Sequence, residues 1–363
     1  MLNMKFFTYK SAILIFLLLF IIKSIIFFII KFFLNYKNTA DADLYDTLAT
    51  QYDILDNSVN DWPVWLNYLN HLGLYDRDII TFFLFLTSSL VLPFLIATII
   101  EKSAVIKFYK KNRFFWHIGI IVSLYPMFLL FSFDITRDIV MMLLFCIYIY
   151  IVQIMIKEKV FVLKSIYILI ILAFSIYMFE WREYLGAALL TTLIFYKFLT
   201  FKFFNFWIVT IIYLIILCIA YKLGLIDVLL LYRGENGFSN GSSTIGIGLL
   251  NKNLIEFIIL YLYSMLLQLF GFYLVNIGAI ILFLIESVPF IFAVVYIFKN
   301  RMKLDEFELF LLLFSLLYMT VWVIGNDNLG TAMRLRMFNY IPVLIVFGIL
   351  FIKKNYIIKD SKL

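Results

Sequence analysis

Apolar stretches of about 20 residues alternate along the whole chain with short polar breaks. A helix of about 20 apolar residues is what crosses a hydrocarbon core of about 30 Å. The pattern predicts spans over 11–34, 79–100, 115–133, 139–156, 165–179, 184–200, 205–225, 277–298, 306–325 and 337–352, with an interfacial or re-entrant helix over 254–273. The expected fold class is all-α: a polytopic integral membrane bundle of about ten transmembrane helices, forming one transmembrane domain over 1–363 with larger polar loops at 35–77 and 226–276. The first loop has a pattern of its own. Tyr45, Leu48, Ala49 and Tyr52 recur at helical spacing from near Asp41, and Trp62, Trp65, Leu66, Leu69 and Leu72 form a second stripe. Both predict amphipathic helices, the second with tryptophans suited to a membrane interface.

Composition agrees. The 363 residues are 65% hydrophobic and 15% charged, against about 25% charged in soluble domains. Cys146 and Cys218 lie inside apolar runs and read as small core residues, with no disulfide or metal framework. His71 and His117 are too far apart in sequence to suggest a histidine metal site. The first apolar run is too long for a cleaved signal and is expected to stay as a span. Lys23 falls in its middle, where a lysine needs to snorkel or find a partner.

Charge then orients the chain. Lys5 and Lys10, the group Lys102–Arg113, the group Lys157–Lys164, Lys197 and Lys202, Lys299–Lys303, and Lys353 and Lys354 all fall on one face in the ten-span arrangement. The positive-inside rule makes that face cytoplasmic, with both termini there. The acidic and arginine-bearing motifs then share the opposite face: "DADLYD" (41–46), "FDITRD" (133–138), "EWRE" (180–183), "YRGENG" (232–237) and "GNDNLGTAMRLR" (325–336). Six of the eight arginines (Arg77, Arg137, Arg182, Arg233, Arg334 and Arg336) are outside, against Arg113 and Arg301 inside. Arginines placed against the insertion rule need a reason, and a planar, permanently charged fork suits phosphate or carboxylate.

Each motif has a functional and a plain reading. Asp41 and Asp43, just after the first span, are placed to act as a general base toward a hydroxyl. They also offer the oxygen ligands of a divalent cation, or they form a solvated acidic loop. In "FDITRD", Asp138 is a further carboxylate and Arg137 an anion ligand, unless Asp134 and Arg137 merely pair three residues apart. Arg182 sits between Glu180 and Glu183 and either joins a site or pairs locally. "LYRGENGFSNGSSTIGIG" (231–248) holds five glycines and Arg233; it reads as a lid or a mobile linker. It lacks the spacing of a nucleotide-binding P-loop. Arg334 and Arg336 converge if the segment is a loop, as Gly325 and Gly330 suggest, and diverge if it is a helix. Asp327 lies beside them, and Glu286 in "LIESVPF" is an intramembrane carboxylate, a default functional candidate.

A first span followed by an outer loop opening "DADLYDTLA" and carrying interfacial helices resembles the C-type-fold membrane glycosyltransferases, which use polyprenyl-phosphate-linked sugar donors. The turn "YPMFLLFSFDITRD", the glycine-rich outer loop and the final "NDNLGTAMRLR" are more similar to bacterial O-antigen and capsular polysaccharide polymerases. That resemblance implies a multi-pass enzyme of the bacterial cytoplasmic membrane. It would join a polyprenyl-diphosphate-linked oligosaccharide to another lipid-linked sugar at the outer face. Arg137, Arg334 and Arg336, supported by Arg182 and Arg233, would hold the diphosphate, and Asp41, Asp43 or Asp138 would take the acceptor proton. It implies no organic cofactor and no nucleic acid. Its partners would be membrane lipids, a flippase and a chain-length regulator. A single-sugar transferase using a polyprenyl-phosphate donor, a transporter and a non-catalytic scaffold are the alternatives.

Overall fold

The computed structural model describes residues 9–34, 40–51, 61–104, 108–196, 206–235 and 243–354. Regular structure among them is helical, apart from one isolated antiparallel bridge between Thr244 and Asn328. The helices are α1 (Tyr9–Phe28), α2 (Ala40–Thr50), α3 (Asp61–His71), α4 (Arg77–Leu86), α5 (Leu92–Ala104), α6 (Phe108–Ser123), α7 (Pro126–Leu130), α8 (Arg137–Lys157), α9 (Phe161–Trp181), α10 (Glu183–Phe195), α11 (Phe206–Lys222), α12 (Asp227–Glu235), α13 (Leu254–Gln268), α14 (Ile277–Leu282), α15 (Val288–Lys299), α16 (Glu306–Gly325) and α17 (Leu329–Ile352). The chain divides into two compact units, Met1–Glu183 and Tyr184–Leu363.

The all-α membrane architecture holds. Among the described residues, seven helical stretches are long and apolar enough to cross a membrane, or eight if the bent pair α11–α12 is one span. The ten-span expectation departs from this at identifiable places. The span expected over 115–133 breaks at Leu124–Tyr125, where Tyr125 is extended and Pro126 starts the short α7. Proline disfavours helix in the residue before it. The stretch expected over 184–200 yields the 13-residue α10, and 197–200 lie outside the described residues. The span expected over 205–225 bends by 77° into α12. The helix expected over 254–273 ends at Gln268 and is 15 residues long. The last span begins at Leu329 instead of residue 337.

Two long spans contain a π-helical turn just before a proline. Thr87–Val91 precedes Pro93, and Phe283–Ser287 precedes Pro289. Proline removes a donor and crowds the carbonyl four residues back, and a wider turn relieves both.

In the first unit the core gathers on aromatic rings: Phe27 stacks on Phe85 at 4.5 Å, and Phe133 lies 6.3 Å from Phe27. Lys23, buried in α1, donates its ammonium to the carbonyl of Ser123 at the end of α6. The intramembrane lysine therefore has a partner in a neighbouring helix. In the second unit α16 and α17 pack together and are the most buried spans. Asp305 and Glu308 form a capping box at the start of α16, and Lys353 donates to both carboxylates from the end of α17, at 2.5 and 3.1 Å.

Candidate functional site

In the first unit the polar residues converge on Arg77, the first residue of α4. Asp76 caps that helix, accepting from the amides of Asp78 and Ile79 at 2.9 Å each. Arg77 Nε and Nη2 donate in parallel to the two oxygens of Asp134, at 2.9 and 2.7 Å. Nη1 donates to Asp43 at 2.8 Å and to Asp46 at 3.2 Å. Asp134 is fully buried and also accepts from the Ile135 amide at 2.9 Å. Tyr75 donates to Asp46 at 2.6 Å. Its burial, reinforced by Asp46, pushes the Tyr75 phenol above its ordinary range.

The two amphipathic helices are held over this hub by their own polar groups. The Asn67 amide donates to the carbonyls of Ala49 and Gln51, at 3.1 and 2.6 Å, which ties α3 to the end of α2. The Trp62 indole donates to the Ile135 carbonyl at 2.8 Å and lies 6.1 Å from the Trp181 ring. The first loop is thus anchored to the turn 134–138 and to the end of α9.

That turn carries further charges of this unit. Arg182 reaches Asp138 at 3.3 Å, both side chains nearly inaccessible. Glu180 and Glu183 are exposed, and the carboxylate that Arg182 meets inside the protein is Asp138. Arg137 starts α8 and donates to the Trp181 carbonyl at 3.1 Å. Among the described residues this is its one hydrogen bond, so most donors of its half-buried guanidinium stay available. The alternative Asp134–Arg137 pair is displaced by Arg77. Asp43, although bonded to Arg77, keeps 53% of its side chain exposed, and Asp41 is half-buried just before it on α2. Among the described residues no group of three or more metal-ligating side chains is assembled, and the cation reading of Asp41 and Asp43 meets a guanidinium already on Asp43.

In the second unit, Arg233 and Asp327 come together, but as a clamp. Arg233 Nη2 donates to Asp327 at 2.5 Å and to Ser264 Oγ at 3.3 Å; Nη1 donates to the carbonyls of Val323 and Ile324 at 2.9 and 3.2 Å; Nε donates to the Ile247 carbonyl at 2.8 Å. A guanidinium has five N–H donors, and all five are used. Arg233 thus satisfies the last carbonyls of α16, and in this arrangement no N–H is left for the expected diphosphate contact. Asp327 in turn accepts from the amides of Gly246 and Ile247 at 3.0 and 3.3 Å. The end of the glycine-rich segment is thus fastened down, while 236–242, the middle of the expected lid, lie outside the described residues.

For Arg334 and Arg336 the helical alternative is the one formed. Asn328 caps α17 by accepting from the Thr331 amide at 3.0 Å, so both arginines are helical and point about 200° apart. They do not converge on one diphosphate. Arg336 is buried and pairs with Glu286 at 2.6 Å, and Glu286 sits on the π-helical turn before Pro289. The other Glu286 oxygen is buried with no hydrogen bond among the described residues. Gly271 has φ +67° and presses against this pair: a Cβ there would lie 2.7 Å from Ser287 Oγ and 3.0 Å from Arg336 Nη1. Arg334 is half-buried on its own face of α17.

The sequence reading missed Arg77 and Asp46 as members of the first cluster. Arg77, flanked by Asp76 and Asp78, stood only in the list of arginines on the face of the acidic motifs. The signal was present, since it is one of the arginines placed against the insertion rule. No family model, no curated protein and no solved structure matches this chain.

Proposed function

We propose that the protein is a membrane glycosyltransferase that transfers a glycan from a polyprenyl-diphosphate carrier to a lipid-linked acceptor, in the manner of a polysaccharide repeat-unit polymerase. The observation that carries this reading is the first unit's cluster. There, an arginine with open donors, Arg137, lies three residues from a buried carboxylate, Asp134, whose partner Arg77 also binds the half-exposed Asp43.

The chemistry needs two things at once. The acceptor hydroxyl loses a proton as it attacks the anomeric carbon, and the departing diphosphate gains negative charge. Asp43 or Asp41 takes the proton. The Arg137 fork meets the developing charge, the term that usually contributes most to such catalysis. The Arg182–Asp138 pair, buried, and the Arg77–Asp134 pair, part-buried and doubly hydrogen-bonded, hold the turn rigid. The site is expected on the outer face of a bacterial cytoplasmic membrane, where no nucleotide donor is needed.

The test is transfer between defined polyprenyl-diphosphate oligosaccharides by the purified protein in detergent. Activity lost in Arg137→Gln and in Asp43→Asn with unchanged melting supports the reading; full activity in both would end it.

One observation favours a second reading. Glu286 and Arg336 pair inside two apolar helical stretches, with the other carboxylate oxygen buried and without a hydrogen bond among the described residues. Buried intramembrane charges mark transport pathways, so a lipid-linked glycan transporter is the alternative. Equal accessibility of cysteines placed along α15 and α17 from both sides of the membrane would favour it.

A further inference from the structure

At the bend between α11 and α12 the second unit has a pocket of about 430 Å³. Its rim carries Lys222, Asp227, Asn251 and Lys252, with Tyr221 and the buried Leu230 beneath. The rim is a built feature. The Tyr221 hydroxyl donates to the Lys252 carbonyl at 2.6 Å and accepts from the Lys252 amide at 3.0 Å. The Tyr221 ring stacks on Phe257 at 4.0 Å, and Asn251 holds φ +57°. One hydroxyl therefore fixes the turn that carries Lys252 against the end of the helix that carries Lys222.

The charges are mixed in a particular way. Lys222 ends an otherwise apolar helix and makes no ion pair among the described residues. Lys252 is bridged to Glu256 at 2.8 Å, with both side chains about a third or more exposed. Asp227 adds a second carboxylate. Two ammonium groups and one carboxylate line the opening, with Glu256 held to Lys252, so both signs of charge meet at the rim. They match a ligand that carries both signs within a few ångströms. Within a few residues in sequence of the lining, Ile219, Leu223, Leu225, Val228 and Ile255 are all large, apolar and exposed. A helix end of this kind lies at headgroup depth.

We propose that this pocket binds the headgroup of a zwitterionic phospholipid bearing a primary ammonium, of the phosphoethanolamine type. The phosphate is met by Lys222 and Lys252, the ammonium by Asp227, and the acyl chains lie along these exposed apolar side chains. The primary ammonium has N–H donors for Asp227, which a trimethylammonium lacks. This inference concerns a bound membrane lipid and stands apart from the transfer reaction.

The test is native mass spectrometry of the full-length protein released from vesicles of equal parts phosphatidylethanolamine, phosphatidylcholine and phosphatidylglycerol. Wild type is expected to retain phosphatidylethanolamine at least about threefold over either competitor. Asp227→Asn should abolish the preference over phosphatidylglycerol, and Lys222→Gln should lower retention of phosphatidylethanolamine and phosphatidylglycerol alike. Asp227→Glu and Lys222→Arg, which keep the charges, should keep the preference, and Lys303→Gln, outside the pocket, should leave it unchanged. Wild type without enrichment, or enrichment that survives both Asp227→Asn and Lys222→Gln, would overturn the proposal. Retention of phosphatidylglycerol above phosphatidylethanolamine would also overturn it, in favour of a plain anion site.

Discussion

Arg77 grips Asp134 through two parallel hydrogen bonds, at 2.9 and 2.7 Å, while its third nitrogen holds Asp43 and Asp46 on α2. One guanidinium thus joins the first loop to the start of a long apolar helical stretch and to the turn before α8. Truncating one partner of such a buried pair leaves the other charge uncompensated, which costs about 3–5 kcal/mol. Arg77→Ala should therefore lower the melting temperature of the purified protein markedly. Arg77→Lys, which keeps charge but not the fork, should recover only part of the loss. In a double-mutant cycle with Asp134→Asn the two effects should be strongly non-additive, and additive losses would mean the pair is not coupled.

Arg233 and Arg137 should separate by phenotype. Arg233 commits all five donors to protein acceptors, so Arg233→Lys should destabilise the fold by about 3 kcal/mol. Any residual activity in that variant should have an unchanged KM. Arg137→Lys should leave melting unchanged and lower glycan transfer by about 10²-fold, the scale of losing one donor to a developing negative charge. A thermal shift in detergent and a transfer assay on the same preparations would distinguish the two.

Glu286 and Arg336 test the balance between burial and pairing inside a membrane span. Glu286→Gln removes the carboxylate charge paired with a buried guanidinium and should cost about 3–5 kcal/mol, as should Arg336→Met alone. Glu286→Met combined with Arg336→Met replaces both charges by apolar volume and should recover most of the melting temperature. If the double variant melts as low as either single variant, the pair has a structural role beyond charge compensation.

Gly271 is a backbone contact with this pair. Gly271→Ala places a Cβ 2.7 Å from Ser287 Oγ at φ +67°, and the backbone strain alone is worth about 1–3 kcal/mol. Adding Ser287→Ala should relieve the clash and leave the strain, so the double variant should recover only partly in the same melting measurement. Full recovery would show that the left-handed backbone at this position carries no strain.

Much of this was legible in the sequence. Hydropathy pointed to the membrane class and most of the long spans, because a bilayer imposes length and composition directly. Both amphipathic stretches of the first loop do form helices, α2 and α3, and in the stripe of Trp62, Trp65, Leu66, Leu69 and Leu72 the side chains of Trp62 and Leu66 are buried while Trp65 and Leu72 are exposed. Two kinds of detail were not legible. Gly325 and Gly330 suggested a loop where α17 already begins, because the cap at Asn328 and packing on α16 outweigh the cost of one helical glycine. Pairing across distant segments was the other. Nothing in local spacing says that Arg77 prefers Asp134, 57 residues away, to Asp76 or Asp78 beside it. Nor does it say that Arg336 will find Glu286.

The most direct test of the central claim is the chain-length profile of surface glycan in cells whose own copy of the gene is deleted and replaced by wild type or Arg137→Gln. A polymerase predicts a ladder with wild type and single-repeat product with the deletion or with Arg137→Gln expressed at normal level. A ladder that survives the deletion unchanged would contradict it.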